Sequence, residues 1–271
     1  MRLVSWNMRR ATMENASVWE YFSSFDPDLA LLQEVNSIPE AVTAGYRTLF
    51  RVATGKTGGR QPFGTAILAR ASELNKLILD TDWAWVNQEL RRFQGYFVTA
   101  MVELNVGLRL HVMSVHSPAW PIDRDRLKDI DTQGVRLTEN PDVWGTELVW
   151  AMLRRQDLQT NDWVVGGDFN SSETFDTMWS GGPRGNGEFL ERMRTLGLTE
   201  ALRHMQGKLT PTFRNSCGGR VIHQLDHVFV GTRILENLVE CYVGDHERVF
   251  GQSLSDHLPV IAEINTEAMT T

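Results

Sequence analysis

The sequence has few cysteines, no long apolar run and no surplus of positive charge. Its 271 residues include two cysteines, Cys217 and Cys241, which excludes the dense disulfide framework of small secreted domains. No uninterrupted apolar stretch reaches the roughly 18 residues of a membrane-spanning helix. The formal net charge is −7 at pH 7, so a phosphate group would have to be bound by a local site or a bound cation rather than by a broadly basic surface.

The chain also lacks obvious targeting and linker segments. The first residues, Met1 to Asn7, carry neither the apolar stretch nor the small-residue cleavage site of a signal peptide, so we expect a cytoplasmic protein. No long linker, charge block or low-complexity tract divides the sequence. We therefore expect a single domain that spans residues 1–271.

Short apolar runs alternate with amphipathic stretches along the whole chain. Several runs are too continuously apolar for surface strands and are typical of sheets covered on the inner face. The predicted strands are Leu3–Trp6, Leu29–Leu32, Thr65–Leu68, Phe97–Leu104, Leu108–Val115, Trp163–Val165, Val228–Val230 and Val260–Ile264. The predicted helices are Asn15–Phe25, Val143–Leu158 and Glu188–Leu196, of which the last follows the glycine-rich run Gly181–Gly187 and ends before Gly197.

Two glycine- and proline-containing segments, Thr54–Gly64 and Thr210–Arg220, are predicted loops. Both are compatible with two interpretations: flexible surface loops, or loops that border a phosphate-binding site. The second interpretation depends on their basic residues, which are Lys56, Arg60, Arg214 and Arg220.

Polar residues stand at the ends of the predicted strands. Four strands run directly into such residues, namely Asn7, Glu34, His116 and the pair Asp168 and Asn170. Two later segments reverse this order, because Asp226 and the pair Asp256 and His257 precede their strands. In antiparallel pairing the end of one strand lies beside the start of its neighbour. The sequence therefore predicts that these side chains meet in one site, built on loops that a rigid scaffold holds.

The residue types in this series suit phosphate chemistry. The oxygens of Glu34, Asn7 and Asp256 are hard ligands of the kind that Mg²⁺ prefers. The two histidines, His116 and His257, can donate hydrogen bonds to a phosphate as negative charge builds on it. The sequence therefore indicates a phosphate-binding site that holds a divalent cation.

The remaining residues of the series suit water activation and orientation. Asp168 is a candidate for orienting and deprotonating an attacking water, and Asn170 for fixing that geometry. Asp226 is a candidate for holding His257 in one tautomer and favouring its charged form. Together these residues indicate hydrolysis.

Each signal has a simpler explanation when it is taken alone. A glutamate at a strand end, such as Glu34, is most often solvated, and a lone histidine such as His116 is most often structural. The segment Asp168–Asn170 can form a turn, and the pair Asp256 and His257 can cap a loop. The pair Gly166 and Gly167 can mark a close approach of two backbones. Packing alone does not predict the ordered series.

The series resembles the endonuclease/exonuclease/phosphatase superfamily of deoxyribonuclease-I-like phosphoesterases. The motifs that carry the resemblance are Trp6-Asn7, Leu32-Gln33-Glu34, Val115-His116-Ser117-Pro118, Gly167-Asp168-Phe169-Asn170-Ser171, Leu225-Asp226-His227 and Ser255-Asp256-His257-Leu258-Pro259. They follow the family order from near residue 7 to near residue 259, so the resemblance covers essentially the whole chain.

The resemblance implies a fold, a reaction and a set of roles. The implied fold is a four-layer α/β sandwich of two packed mixed sheets flanked by helices, and the implied reaction is in-line attack of water on a phosphoester, assisted by Mg²⁺ or Mn²⁺. Glu34 would bind the cation, with Asn7 and Asp256 close to it. The other implied roles are positioning or activation of the water by Asp168, binding of the phosphate by Asn170, stabilisation of its charge by His257 paired with Asp226, and protonation or polarisation of the leaving group by His116.

Some features depart from the family pattern or stay open. No acidic partner for His116 can be placed, and His227 follows Asp226 where the family often has tyrosine or arginine. The pair Arg9 and Arg10 either contacts phosphates or is solvated. The segment Ser117–Glu147 is either a specificity insert or an amphipathic surface excursion. Its aromatic and basic residues are Trp120, Arg124, Arg126, Lys128 and Arg136.

Three functions are compatible with the sequence. The first is a nuclease or related phosphodiesterase that acts on DNA or RNA. The second is a phosphatase or phosphodiesterase for a small or lipid-derived phosphate, which the acidic net charge favours. The third is an inactive binding module, which the completeness of the predicted site disfavours.

Overall fold

The structure is a computed structural model that describes residues 1–178, 184–215 and 219–269. Its strands are β1 (Arg2–Ala11), β2 (Leu29–Val35), β3 (Arg47–Thr54), β4 (Arg60–Ala69), β5 (Ala71–Lys76), β6 (Phe97–Leu104), β7 (Arg109–His116), β8 (Trp163–Asp168), β9 (Thr199–Glu200), β10 (Phe213–Arg214), β11 (Val221–His223), β12 (Asp226–Val230), β13 (Leu238–Val243) and β14 (Val260–Ile264). Its α-helices are α1 (Ala16–Ser24), α2 (Glu40–Thr43), α3 (Ala84–Arg92), α4 (Arg124–Leu127), α5 (Gly145–Leu153), α6 (Glu173–Met178), α7 (Asn186–Thr195), α8 (Ala201–Gln206) and α9 (Thr232–Glu236). A π-helical turn covers Glu247–Gly251 and a 3₁₀ turn covers Glu267–Met269. None of the helices described here has the length and apolar character needed to cross a bilayer.

The strands form two six-stranded mixed sheets. The first sheet has the order β13-β14-β1-β2-β4-β3 and the second has the order β5-β6-β7-β8-β12-β9. One parallel pair lies in each sheet, β1 with β2 and β7 with β8, beside antiparallel neighbours. A small pair of strands, β10 and β11, stands apart from both sheets. These sheets and their flanking helices confirm the α/β sandwich that the family resemblance implies.

The central strands are apolar throughout because both of their faces are buried. Leu29 and Leu31 of β2 point into the core between the two sheets, where they join residues of the second sheet such as Val112 and Val164. The alternate residues of β2, among them Leu32, pack instead on the outer side against α1. A matching outer core joins the second sheet to α5 and α7. Alternation of side chains across each strand thus builds the four layers.

The predicted elements lie within or close to the observed ones. Strands β6 and β14 have the predicted bounds, β7 begins and ends one residue later than predicted, and the other predicted strands are extended at one or both ends. The predicted helix Val143–Leu158 is wrong at its C-terminal end, because the chain turns after Leu153. The predicted loop Thr54–Gly64 is wrong in its second half, which belongs to β4. Gly64 allows β4 to lie close to β3, since a Cβ at this position would lie 2.1 Å from the Arg51 carbonyl oxygen.

Parts of two sequence features lie outside the described residues. These are residues 181–183 of the glycine-rich run and residues 216–218 of the second predicted loop, which include Cys217. The other cysteine, Cys241, is a buried free thiol on β13.

Candidate active site

The structure brings the predicted polar residues together at one edge of the two sheets. In the second sheet, His116 at the end of β7 and Asp226 at the start of β12 both pair in register with Asp168 at the end of β8. From the first sheet, Asn7 reaches across to donate a hydrogen bond from Nδ2 to Asp168 Oδ2 at 2.9 Å. The reversed order of the later motifs thus has the structural origin expected of antiparallel pairing.

Gly167 allows the strand that carries Asp168 to lie close to its neighbour. Its φ is +147°, and a Cβ there would lie 1.9 Å from the carbonyl oxygen of Val115 on β7. Only glycine fits such a position without displacing the backbone. The close approach of β7 and β8 in turn sets His116 beside Asp168.

Two bulges turn side chains of the first sheet towards the site. Between Leu32 and Val35, β2 gains a residue against β4, and Glu34 adopts a left-handed φ of 50°. Between Asn7 and Ala11, β1 gains residues against β2. Bulges commonly re-aim side chains next to active sites, and a non-glycine residue with positive φ is strained. Local strain therefore accompanies the placement of Glu34.

Asp168 is fully buried and held by amide donors. Its Oδ1 accepts from the backbone N–H of Asn170 at 2.9 Å, and its Oδ2 accepts from Asn7 Nδ2 and from Asn170 Nδ2, the latter at 3.2 Å. Burial raises the pKa of the Asp168 carboxyl to about 6, although the charge of His257 acts in the opposite direction. A carboxylate with this raised pKa is suited to accept a proton near neutral pH.

His257 lies between two carboxylates. Its Nδ1 donates to Asp226 Oδ2 at 2.8 Å, and its Nε2 lies 3.8 Å from Asp168 Oδ2. Burial lowers the pKa of His257, but the charges of Asp226 and Asp168 outweigh that effect and raise the pKa to about 10. His257 is therefore an imidazolium at neutral pH, with its Nε2 directed into the site.

Thr212 fixes the orientation of Asp226. Its hydroxyl donates to Asp226 Oδ2 at 2.7 Å and accepts from the backbone N–H groups of Leu225 and Asp226, both at 3.1 Å. Thr212 lies in the segment before β10, outside the motifs of the sequence series. No spacing or residue pattern distinguishes it in the sequence.

Glu34 and Asp256 are the carboxylates of the site that suit a divalent cation. Both line the site cavity, and the Glu34 side chain is 24% exposed while that of Asp256 is 31% exposed. Hard carboxylate oxygens with access to solvent fit Mg²⁺ or Mn²⁺, which keep several water ligands. The donor set therefore fits the cation that the sequence predicts.

Asn7 has a different orientation from the one expected of a metal ligand. Its Oδ1 accepts from the backbone N–H of Arg9 at 3.0 Å, while its Nδ2 donates to Asp168 and lies 3.4 Å from Glu34 Oε1. In this arrangement Asn7 bridges two carboxylates and directs no oxygen to the cavity. Its predicted role as a cation ligand stays a prediction.

Asp168, Asp226 and His257 also form a tight group, with one potential ligand atom of each within 4.8 Å of the others. Asp226 Oδ2 is already engaged, because His257 Nδ1 and Thr212 Oγ1 both bond to it, whereas Asp226 Oδ1 has no hydrogen-bond partner among the described residues. A cation bound through Asp226 Oδ2 would compete with these two bonds and would lie next to the positive charge of His257. We therefore interpret Asp226 and His257 as a hydrogen-bonded pair with Asp168 beside it, and Glu34 and Asp256 as the candidate cation ligands.

His116 packs against aromatic rings and has an acidic neighbour, Glu34. Its ring stacks on Tyr96 with centroids 5.3 Å apart and meets the Phe63 ring edge-on at 5.5 Å. Its Nδ1 is buried with no hydrogen-bond partner in the described part of the chain, and its Nε2 lies 3.5 Å from Glu34 Oε1. Burial lowers the pKa of His116 to about 4, so the ring is neutral at neutral pH.

His227, whose role the sequence leaves open, faces away from the site. It is buried against Phe169 and Phe229, and its ring Nε2 lies 3.0 Å from the Ser171 carbonyl oxygen. This contact fixes the turn that carries Asp168 and Asn170. We infer that His227 is a positioning residue.

The segment Ser117–Glu147 supplies Ala119 and Trp120 to the site cavity. Arg124 pairs with Asp142 and Arg126 pairs with Glu89, and neither arginine lines the cavity. The cavity has a volume of about 320 Å³. It is lined by Arg9, Arg10, Glu34, Gln61, Phe63, His116, Ala119, Trp120, Asp168, Asn170, Phe213, Asp256 and His257.

Comparison with known proteins gives one sequence family and a set of similar structures. A sequence model of the Endonuclease/Exonuclease/phosphatase family matches residues 4–257. A 3′-5′ exonuclease from Neisseria meningitidis is 17% identical with a TM-score of 0.70, and covers 98% of this chain and 100% of its own. An AP endonuclease from Archaeoglobus fulgidus is 17% identical with a TM-score of 0.68, and the match covers 98% of this chain and 99% of the endonuclease. A 3′ phosphatase from Neisseria bound to a product DNA hairpin is 19% identical with a TM-score of 0.65, and covers 98% and 99%. A search of curated protein sequences finds no match.

Proposed function

This chain belongs to the endonuclease/exonuclease/phosphatase family and is a phosphoesterase, and we propose that it hydrolyses phosphodiester bonds of DNA or RNA with the aid of a bound divalent cation. One observation carries the proposal. A buried carboxylate with a raised pKa, Asp168, lies beside an imidazolium, His257, next to solvent-accessible carboxylates that suit a cation. This combination offers a proton acceptor, a positive donor and a cation site in one cavity.

The proposed roles follow from the contacts of each side chain. Mg²⁺ or Mn²⁺ held by Glu34 and Asp256 would neutralise charge on the substrate phosphate. His257 donates a hydrogen bond from Nε2 to a phosphate oxygen. Asp226 accepts a hydrogen bond from the other ring nitrogen, Nδ1, and so holds the ring in this orientation. Asp168 orients the attacking water and accepts its proton. The phosphorus–oxygen bond on the far side breaks as the water oxygen bonds to phosphorus.

Asn170 and His116 complete the proposed site. Asn170 has a left-handed φ of 49°, and its Nδ2 donates to the Ser117 carbonyl oxygen at 2.8 Å as well as to Asp168. It thereby ties the ends of β7 and β8 together at the position where the phosphate would bind. His116 is neutral and can polarise the leaving oxygen through Nε2 without adding a charge.

The lining of the cavity favours a nucleotide substrate. Phe63, Trp120 and Phe213 present rings to the same space as the charged residues, and Arg9 and Arg10 stand at its wall. Aromatic rings suit stacking with bases, and arginines suit the phosphates between them. Solved structures of similar fold include a 3′-5′ exonuclease, an AP endonuclease and a 3′ phosphatase bound to a product DNA hairpin, which supports the same substrate class.

A small or lipid-derived phosphate is the second candidate substrate. The net charge of −7 favours it, because long-range attraction of a polyanion is weak. The same cation and histidines would serve this reaction, since they recognise only the phosphate. An inactive binding module is disfavoured, since every residue of the predicted series is present and assembled in one cavity or bonded to it.

The test is a substrate panel with purified protein and Mg²⁺ or Mn²⁺. The panel contains single- and double-stranded DNA and RNA oligonucleotides, phosphomonoesters, inositol phosphates and phospholipids. We expect cleavage of nucleic acid that stops on addition of EDTA. Turnover of the small or lipid phosphates with none of nucleic acid would replace the first candidate by the second.

Two glutamate variants control the experiment. Glu34→Gln removes the proposed cation ligand with little change in shape, and we expect it to abolish cleavage. Glu40→Gln makes the same change at an exposed residue of α2 and is expected to behave as the wild type. Full cleavage by Glu34→Gln would reject the proposed cation site.

A further inference from the structure

Two consecutive arginines stand beside the proposed cation ligands. The Arg10 guanidinium has its Nε 3.6 Å from Glu34 Oε2, and the Arg9 guanidinium has its Nε 3.9 Å from Asp256 Oδ2. Each arginine thus faces one of the two carboxylates that would bind the cation. The site therefore already contains positive charge where the cation would enter.

The backbone places both arginines on the same side. In a regular strand, consecutive side chains point to opposite faces, so only one of the two could reach the cavity. Here both residues lie in the bulge of β1 and adopt left-handed φ values of 47° and 60°. Two successive non-glycine residues in this region are strained, which indicates that the surrounding structure imposes the arrangement.

The contacts of the arginines are close enough for ion pairing but loose enough to exchange. Both distances exceed 3.5 Å, the usual limit of a hydrogen bond, and both side chains are more than half exposed. The Arg10 guanidinium also lies over the Phe63 ring, 5.4 Å from its centroid. A loose, exposed ion pair is readily displaced. The cation–π contact with the aromatic ring would keep the guanidinium at the same cavity wall after that displacement.

We propose that Arg9 and Arg10 neutralise Asp256 and Glu34 before the divalent cation binds, are displaced by it, and then pair with the substrate phosphate. This inference rests on the cation site of the proposed function. Like charges repel, so the arginines and the cation compete for the same carboxylates. Once displaced, the guanidinium groups remain at the cavity wall, where a substrate phosphate would replace the carboxylates as their negatively charged partner.

Cation binding tests the first half of the proposal without depending on catalysis. The probe is Mn²⁺, and the free ion is measured by electron paramagnetic resonance in the presence of the full chain. Arg10→Met keeps the length and apolar character of the side chain and removes its charge. We expect it to tighten Mn²⁺ binding by roughly three- to tenfold, an effect that grows at low ionic strength.

Two further variants separate charge from shape and position. Arg10→Lys keeps the charge and is expected to bind Mn²⁺ as the wild type does. Arg109→Met makes the same substitution at the start of β7, the opposite end of the strand that carries His116, where Arg109 pairs with Glu103. It is expected to leave Mn²⁺ binding unchanged. Mn²⁺ binding by Arg10→Met that equals or falls below that of the wild type overturns the proposal.

Substrate affinity tests the second half. With Mn²⁺ saturating, Arg10→Met should raise KM for a DNA oligonucleotide several-fold more than it lowers kcat, because the lost contact is to a non-reacting part of the phosphate. An unchanged KM contradicts the transfer of the arginine to the substrate. Glu34→Gln distinguishes the two levels of failure. If Glu34→Gln binds Mn²⁺ as tightly as the wild type, the proposed cation site fails and the inference with it; if it binds weakly but Arg10→Met is not tightened, the inference alone fails.

Discussion

The two histidines of the site have opposite surroundings. His257 lies between the buried carboxylates of Asp226 and Asp168, which raise its pKa to about 10. His116 lies against the rings of Tyr96 and Phe63, and burial lowers its pKa to about 4. The same side chain is therefore an imidazolium in one half of the cavity and a neutral ring in the other.

This difference assigns different chemistry to the two halves of the cavity. The half around His257, Asp226 and Asp168, which we call the polar half, keeps a positive donor next to the carboxylate that would accept a proton from water. The half around His116, Tyr96 and Phe63, which we call the aromatic half, keeps a neutral donor beside Glu34. A second positive charge there would oppose the binding of a cation. In the proposed mechanism, the environment and not the residue type therefore decides which histidine would stabilise charge and which would polarise the leaving group.

The largest expected effect comes from the carboxylate of the polar half. Asp168→Asn keeps the shape but removes the proton acceptor, and we expect kcat to fall by roughly 10²- to 10⁴-fold. The measurement is steady-state cleavage of the best oligonucleotide substrate with Mg²⁺. Asp162→Asn is the matched control, since Asp162 lies directly before the same strand and pairs with Arg233. A kcat within a few-fold of the wild-type value in Asp168→Asn would show that another group accepts the proton.

The next effect concerns the pH dependence of the reaction. Wild-type kcat/KM should rise with pH through about 6, as Asp168 ionises, and fall near pH 10, as His257 loses its proton. In Asp226→Asn the charge that holds the His257 pKa high is lost, whereas the lowering effect of burial remains. The alkaline limb should therefore move towards neutral pH, with a loss of about tenfold for each unit by which the pKa falls below the assay pH.

The His116→Gln variant gives the contrast. Its pH profile should keep the alkaline limb near pH 10, because His116 is already neutral in that range and has no positive charge to lose. The two halves would be equivalent, contrary to our interpretation, if His116→Gln moved the alkaline limb as far as Asp226→Asn does.

The smallest effect concerns how the aromatic half holds its histidine. The Tyr96 hydroxyl is buried with no hydrogen-bond partner among the described residues, so the ring alone supports His116. Tyr96→Phe should raise the free energy of unfolding by about 1 kcal/mol, because an unsatisfied buried group is removed. Tyr21→Phe is the control, since its hydroxyl accepts from the Asp245 N–H at 2.9 Å and its loss should destabilise by about 1 kcal/mol. Urea denaturation measures both changes, and a destabilised Tyr96→Phe would reveal a partner for that hydroxyl.

The sequence allows the site to be predicted where polar residues end apolar strands. Glu34, His116 and Asp168 each follow a predicted apolar run and lie at the end of the observed strand, and antiparallel pairing explains why Asp226 and His257 stand before their apolar runs. Residues outside this pattern could not be found. Thr212 bonds to Asp226 from a different loop, which no sequence motif links to that residue. The orientation of Asn7 is set by the backbone of Arg9, and that backbone depends on a bulge that the residue types do not predict.

The fold is predictable to a similar extent and for the same reason. Strands buried on both faces, such as β2 and β8, are recognised as apolar runs. Strand β5 was missed because it is an edge strand with largely exposed residues, so its sequence resembles a loop. Strand β3 was missed for the same reason at the edge of the other sheet. Hydrophobic periodicity thus reports burial, and it weakens where the sheets meet solvent.

The most direct test of the divided site is the titration of its two histidines by nuclear magnetic resonance. Imidazole nitrogens labelled with ¹⁵N would be followed from pH 4 to pH 10.5 in the full chain, with His116→Gln and His257→Gln used for assignment. We predict that His257 stays protonated until the pH approaches 10 and that His116 stays neutral down to about pH 4. Two histidines that titrate together near pH 6.5, the ordinary value for the side chain, would contradict the account.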